Sequence, residues 1–544
     1  MSWLREHQTT EETIFSLHFR ISILHISLPL VIASTYLKVT SASLVMADRC
    51  PLSSLSLPTV HITITACIIL ILLFLRPWRG SSDRKTACSL PLLGSLGPFR
   101  FTSEHVLHTV TSLAKLGPVV DVFNGTWRIT ILSDVNDVRE VLYRRPKTFR
   151  RVARAIESTG LQHGIFVSEG ARWSTHRRVV APPFSKLNIA RLLPMIIQET
   201  DAFVTRLRDI TGEVVEFTRL ANEFTISVIG RVAFDIEPND CHLSYFQSAE
   251  FRSDMMDMLT FASTNALATL PPTLARCFSA YRSAELKAID ASQRLKQCTM
   301  ELIEMTNESD VNEVVKDQDR SDSFIRAVSR AEKEGKLSFE EVVSDIVTLF
   351  VAGTDTTAIG ISWTLFYLSS RPDIQNDIRR EVQGVEKVSS TGAWHTSLEL
   401  CRACFKEALR KQGPVAFLPM RTVEQREVLL SSGRVISPYD TLWLSLDAVK
   451  NDSQVFEQPE LYDPYRWLTS DANKLEMMQK HFLTFGGGPR ICPGMDLALS
   501  EGTFCVAKIV SNFTFQLCCP PEEVRRMHRG TASISKMPLR FHPL

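Results

Sequence analysis

The sequence predicts a mainly α-helical fold with small β-sheets, preceded by one or two N-terminal transmembrane helices. Three observations predict it. Helical apolar periodicity dominates the chain as far as about residue 410, whereas strand-like pieces such as VVDVFNG and WRITILS, near residues 119–133, are a minority. An apolar run, TVHITITACIILILLFL, fills Thr59–Leu75 and reaches the lower limit for crossing a bilayer. The composition, 44% hydrophobic and 22% charged over 544 residues, is that of a folded globular protein with some excess of apolar surface.

The N-terminal elements divide as follows. Residues 1–58 form an extension with a weaker apolar segment, Ile21–Leu37, interrupted by His25 and Pro29. It reads either as a second membrane span or as an upstream addition of little consequence. Met46 lies between the two segments and would serve as an alternative start that leaves one anchor. Residues 59–75 are the transmembrane anchor. Arg76, Arg79, Arg84 and Lys85 follow it directly, which favours a cytoplasmic position for the rest of the chain. A cleaved signal would carry its basic residues before the apolar run and a small-residue site after it. Residues 76–100 are a basic hinge in which Pro91, Gly94, Gly97 and Pro98 stop helices and fix chain direction. Residues 101–544 are the body.

Net charge is +1, and no basic stripe interleaved with aromatics is present, so nothing points to nucleic acid as a partner. The 12 cysteines are scattered and too sparse for a disulfide scaffold, which reads as free thiols in a reducing compartment. Cys401 and Cys404 form a C-x-x-C on a helical pattern without the strand that redox motifs require, so they read as core or surface thiols.

Four constellations carry chemistry. The first is a helix opening with a capping box, Ser338 and Glu341, and running to about Ser370, where Arg371 and Pro372 stop it. Its apolar run breaks midway at AGTDTT, Ala352–Thr357, with a glycine and an acid that are both costly inside a buried helix. A small residue there lets something large approach the backbone, and a hydroxyl can bond the preceding turn. The second is FKEALR, with Glu407 and Arg410 on one helix face; Arg466, in the loop PELYDPYRW, could reach back to make a three-membered lock. The third is GARWSTHRRVV, in which Trp173 and Arg177 share a face and suit the carboxylates of a large flat ligand. The fourth is HFLTFGGGPRICPGMDLALSE. Cys492 follows Gly486, Gly487, Gly488 and Arg490, and a helix starts just beyond Gly494. Positive surroundings and a helix N-terminus favour a thiolate. One sulfur without partners at zinc spacing cannot hold a structural zinc, but a single thiolate is how some haem irons are held.

FGGGPRICPG resembles the haem-binding signature of the cytochrome P-450 family: Phe485, Gly488, Arg490, Cys492 and Gly494 all match. WSTHR, AGTDTT, EALR and DPYRW resemble the family's other motifs, in the family's order, and the likeness spans about residues 85 to 544. The resemblance implies the cytochrome P-450 fold, with 101–544 as a haem-thiolate catalytic domain and haem b as cofactor. Cys492 would be the iron ligand, with Phe485 packed beside it. Trp173, Arg177, Arg421 and Arg490 would hold the haem carboxylates. Glu407, Arg410 and Arg466 would form a structural lock. Thr356 would be the hydroxyl beside dioxygen and Asp355 the acid that relays protons.

The acid–alcohol pair favours true monooxygenation, with electrons from NADPH through NADPH–cytochrome P-450 reductase and with cytochrome b5 as a further donor. An isomerase or peroxygenase that needs no reductase is the alternative, and a haem sensor without catalysis a weaker one. The pocket implied by the resemblance includes Phe261, Thr348, Ala352 and Phe417 and the segment from Arg154 to Phe166. These residues are mostly apolar or small, so the expected substrate is a lipophilic small molecule in terpenoid or polyketide secondary metabolism. The expected location is the endoplasmic reticulum membrane, with the catalytic domain facing the cytoplasm.

The basic run YRRPKTFRRVAR, with Arg144, Arg145, Lys147, Arg150, Arg151 and Arg154, reads either as a solvated helix face or, with Arg177 and Arg178, as a landing site for the reductase. The polar segment from Thr306 reads as a surface connection, and the sequons at Asn124, Asn307, Asn451 and Asn512 should stay unglycosylated if the body is cytoplasmic.

Overall fold

The structure, a computed structural model, describes residues 85–86 and 105–544, except 125–126, 146, 152–160, 162, 238–244, 247, 265–275, 277–278, 313–322, 389–396 and 439. The extension, the anchor and nearly all of the hinge lie outside the described residues, as does Arg154.

Fourteen helices are described. They are α1 (Val106–Ala114), α2 (Val135–Tyr143), α3 (Gly170–Val180), α4 (Lys186–Asp209), α5 (Phe217–Phe234), α6 (Ala249–Thr264) and α7 (Ser279–Asn312), then α8 (Phe324–Lys333), α9 (Phe339–Leu368), α10 (Pro372–Val388), α11 (Glu399–Gln412), α12 (Leu446–Lys450), α13 (Ala472–His481) and α14 (Met495–Asn512). The longest sheet has six strands, β1 (Lys85–Thr86), β2 (Val119–Asn124), β3 (Trp127–Leu132), β4 (Phe149–Arg151), β6 (Phe417–Thr422) and β9 (Thr441–Ser445), in the order β1-β2-β3-β9-β6-β4. β5 (Val214–Glu216) pairs with β13 (Pro538–Pro543), which also pairs with β10 (Phe513–Leu517). Two hairpins complete the set, β7 (Val428–Leu429) with β8 (Val435–Ile436) and β11 (Arg526–Arg529) with β12 (Thr531–Ile534). The fold is mainly helical with small sheets, as the periodicity predicts.

The core forms around α9. Its start is the predicted capping box: Glu341 N–H donates to the Ser338 hydroxyl at 3.4 Å, and Ser338 N–H donates to the Glu341 carboxylate at 2.7 Å. The helix runs 30 residues, about 45 Å. Among the described residues it is the one helix long and apolar enough to cross a membrane, and 72% of that apolar stretch is buried within the protein. Its apolarity therefore answers to packing against α5, α11 and α14.

Two glycines set how closely those helices approach. A Cβ at Gly360 on α9 would lie 2.8 Å from the Phe405 ring, and one at Gly502 on α14 would lie 2.3 Å from it. Phe405, on α11, thus fills the space both glycines leave. Cys401 and Cys404 are buried on α11 as free thiols, and burial pushes both pKa values up, opposite to what a reactive thiolate needs.

Two expectations are corrected. The polar segment from Thr306 begins as helix, because α7 continues to Asn312 with Thr306 buried and its hydroxyl bonded to the Leu302 carbonyl at 2.9 Å. Among the described residues, the basic run is not a helix face. α2 ends before Arg144, the chain turns, and β4 begins at Phe149, so Arg145 is buried and Arg151 is half-buried, while Lys147 and Arg150 face solvent.

Candidate active site around Cys492

The cysteine loop is shaped by its glycines. Gly486 and Gly488 have φ of 76° and 65°, where side chains are strained. A Cβ at Gly488 would also lie 2.6 Å from the Leu142 carbonyl oxygen. Glycine there lets the loop lie directly against the end of α2. Cys492 N–H donates to the Phe485 carbonyl at 2.9 Å, closing the loop, and α14 starts three residues after the cysteine. Phe485 is half-buried, 6.1 Å from the Phe482 ring. The Cys492 side chain is exposed, a free thiol at the end of the loop. Burial pushes the thiol pKa up, and the Gly494 N–H and the Arg177 charge pull it down.

Arginines crowd beside this loop. The Arg490 guanidinium lies 4.7 Å from the centre of the Trp173 ring, a cation–π contact that joins the loop to α3. It also donates to the Ser168 carbonyl and, at 2.6 Å, to the Glu169 carboxylate. Arg145 lies 3.8 Å from the same carboxylate, and the Arg151 backbone N–H donates to it at 3.2 Å. One acid thus serves several cations. Burial, with Arg145 and Arg490 beside it, lowers Arg151 to about 9. Burial lowers Arg490 to about 10, with Arg145 and Arg177 adding and Glu169 opposing. The Nε atoms of Arg145, Arg151 and Arg490 are buried with no hydrogen-bond partner among the described residues. A buried cluster with surplus positive charge and idle donors fits anionic carboxylates. Arg421, half-buried on β6, is in register with Arg150 of β4.

Arg145 and Arg151 are the residues that sequence reasoning missed here. Their signal was available: Pro146 forbids continuing α2, and the strand that follows must alternate its side chains.

On α9, Thr348, Ala352 and Thr356 recur every four residues and make one partly open stripe on a buried helix. Thr356 donates its hydroxyl to the Ala352 carbonyl at 2.7 Å. Gly353 has a different role from the one its sequence suggests. A Cβ there would meet Ile229 of α5 at 3.0 Å, so its smallness admits a neighbouring helix, and the open position is Ala352. Asp355 is buried and accepts a hydrogen bond from the Thr531 hydroxyl of β12. Burial raises its pKa, with Thr531 and Arg529 opposing. Nothing in the sequence pairs Thr531 with Asp355, which lies 176 residues away.

Glu407, Arg410 and Arg466 meet. Arg410 grips Glu407 through Nε and Nη2, both at 2.9 Å, and Arg466 Nε donates to Glu407 at 3.2 Å. Trp467 Nε1 adds a fourth bond at 2.9 Å. Arg410 also donates to the carbonyls of Lys450 and Pro459 and to Asn451 Oδ1. The pair is fully buried and fully satisfied, which binds the loop around Arg466 to α11.

The remaining pocket candidates separate. Phe417 is half-buried, stacked on Trp443 at 4.9 Å with His528 at 5.2 Å. Phe261 is 2% exposed and set edge-on to Tyr281, at the packing of α6 on α7. It sits as a core residue, whereas Thr348 and Ala352 lie on the open stripe.

The family model for cytochrome P450 matches residues 86–542. Among curated proteins, the chain is 27% identical over 496 residues to dihydroniloticin synthase of Citrus sinensis, covering 85% of this chain and 92% of that protein. It is 23% identical over 484 residues to melianol synthase of Citrus sinensis, covering 85% and 91%. It is 26% identical over 363 residues to a cytochrome P450 monooxygenase of Aspergillus terreus, covering 63% and 67%.

Proposed function

The chain belongs to the cytochrome P450 family and is a haem-dependent oxidoreductase; from that premise we propose that it inserts one atom of dioxygen into a lipophilic intermediate of secondary metabolism. The family's cofactor is haem with a cysteine thiolate on the iron, and when bound it supplies the activation of dioxygen. The residues here fit that group. Cys492 would hold the iron, and Arg177, Arg490 and Arg421 with Trp173 would take the haem carboxylates, joined by Arg145 and Arg151. The idle buried Nε donors of Arg145, Arg151 and Arg490 support this assignment.

The observation that carries the reading is the open stripe Thr348–Ala352–Thr356 on a mostly buried helix. It offers a hydroxyl and small side chains where substrate and dioxygen need room. Asp355, held neutral more readily than an exposed acid because it is buried, would deliver protons toward Thr356. Two relatives are named as synthases of particular products, which supports a biosynthetic role; a terpenoid or polyketide substrate is the class we assign. Electrons would come from NADPH through a flavoprotein reductase, with cytochrome b5 as a further donor. Residues 59–75 would anchor the protein in the endoplasmic reticulum membrane, with residues 101–544 on the cytoplasmic side.

The test is to compare metabolites from cells with and without the intact gene, then assay the purified protein with NADPH and reductase. Turnover that needs both, and that falls in Thr356→Ala, supports monooxygenation. Equal turnover on peroxide alone, or on substrate without any oxidant, would instead support a peroxygenase or an isomerase.

A further inference from the structure

Glu169 stands at the centre of the arginine cluster, one residue before α3, and the haem-carboxylate assignment above gives it no task. Its position is well defined. One carboxylate takes Arg490 at 2.6 Å and Arg145 at 3.8 Å, and it also caps the backbone N–H of Arg151 at 3.2 Å. The side chain is 27% exposed, so it reaches inward from the edge of the site. Arg490 is thereby fixed on three sides: by Glu169, by the Ser168 carbonyl and by the Trp173 ring below its plane. Its Nε is the donor that these contacts leave idle.

Two roles are compatible with a carboxylate in such a place. It could be a stand-in that a haem carboxylate displaces, or a permanent counter-charge. Charge counting favours the second. The arginines assigned to the haem carboxylates, Arg145, Arg151, Arg177, Arg421 and Arg490, bring five positive charges, and haem brings two carboxylates. Without Glu169 the site would keep a surplus of three, and with it the surplus falls to two. Like charges buried together are costly: burial first, and the neighbouring arginines after it, push the Arg151 and Arg490 guanidinium pKa down. Geometry agrees, because Glu169 engages the Nη2 end of Arg490 and leaves Nε unengaged.

We infer that Glu169 is a built-in counter-anion that positions Arg490 for a haem carboxylate and offsets the surplus charge of the arginine cluster. This rests on the haem-carboxylate assignment of the arginines. Glu169 is a positioning residue, acting through Arg490.

The test uses the full chain loaded with haem, in three forms: wild type, Glu169→Gln and Glu169→Asp. Far-ultraviolet circular dichroism gives the folded fraction to which each rate is referred. Haem transfer to excess apomyoglobin and the ferric–ferrous reduction potential are then measured. Glu169→Gln should release haem on the order of tenfold faster, the scale expected when a supporting charge behind a cofactor-binding group is lost. Its potential should move in the positive direction, because a negative charge beside the arginines assigned to the haem carboxylates has been removed. Glu169→Asp should restore most of both. Slower release from Glu169→Gln would overturn the inference in favour of a displaced stand-in. Unchanged release and potential, or equal loss in both variants, would overturn it as well, since charge would then not be the cause. An Arg490→Gln variant separates the premise from the inference: if it releases haem like wild type, the arginine assignment itself fails.

Discussion

His176 and Asp345 form a fully buried pair, with imidazole Nδ1 2.6 Å from Asp345 Oδ2 and neither side chain exposed. The pair ties α3, which carries Trp173 and Arg177, to α9 two turns before Ala352. Its other oxygen accepts the Ile165 backbone N–H at 2.5 Å, and the imidazole Nε2 lies 3.4 Å from Glu341. The segment leading into α3 is therefore held to α9 by one carboxylate. His176→Leu should cost about 3–5 kcal/mol, the range for stripping one partner from a buried pair. Denaturant unfolding measures the loss, and hydrogen exchange at the Ile165 amide should accelerate more than at amides of α11.

The lock on α11 should behave as a unit. Arg410→Ala leaves the Glu407 carboxylate buried with part of its partners gone and removes the bonds that Arg410 gives to the Lys450, Pro459 and Leu461 carbonyls and to Asn451 Oδ1. A loss of about 3–5 kcal/mol is expected. Arg466→Ala in the same background should cost less than it does alone, since both bond the same acid. Additive losses in a double-mutant cycle would contradict a shared network.

Helix approach at Phe405 gives a packing prediction. Gly502→Ala should destabilise by about 1–3 kcal/mol, because its new methyl meets the ring of Phe405. Adding Phe405→Leu should return part of that loss. Thermal unfolding of the single and double variants checks it.

Glu501 on α14 gives the pH dependence. It is buried, its Oε1 has no partner among the described residues, and burial holds its carboxyl well above the ordinary value of 4.5. A group whose folded pKa is raised binds its proton more tightly when folded. Above the unfolded value the unfolded chain releases that proton first, so stability falls as pH rises, by up to about 1.4 kcal/mol per unit. The decline ends above the folded pKa. Glu501→Gln cannot ionise and should lack that slope, so its advantage over wild type should grow from pH 5 to pH 8 in urea titrations. Parallel curves would contradict it.

Much of this architecture was legible in the sequence because its signals are local. The capping box of α9, the stop at Pro372, the start of α14 after Gly494 and the pair Glu407–Arg410 each depend on residues within one or two turns. The cysteine loop was legible for the same reason, since Gly486, Gly487, Gly488 and Arg490 lie within five positions. What stayed hidden depends on partners far along the chain. Gly353 looks like a gap for a ligand until Ile229 of α5 is found against it. Asp355 gives no hint of Thr531, nor His176 of Asp345. Arg145 and Arg151 were hidden by their company, because six basic residues so close together look solvated until a turn after α2 sends two of them inward.

The central claim is that Cys492 is the thiolate ligand of a haem. The most direct measurement is the difference spectrum of the dithionite-reduced, carbon monoxide-bound protein, taken beside Cys492→Ser. The account predicts a strongly red-shifted Soret band in the wild type that is lost in the variant. A band at the position of histidine-ligated haem in both proteins, or well-folded protein that takes up no haem, would contradict it.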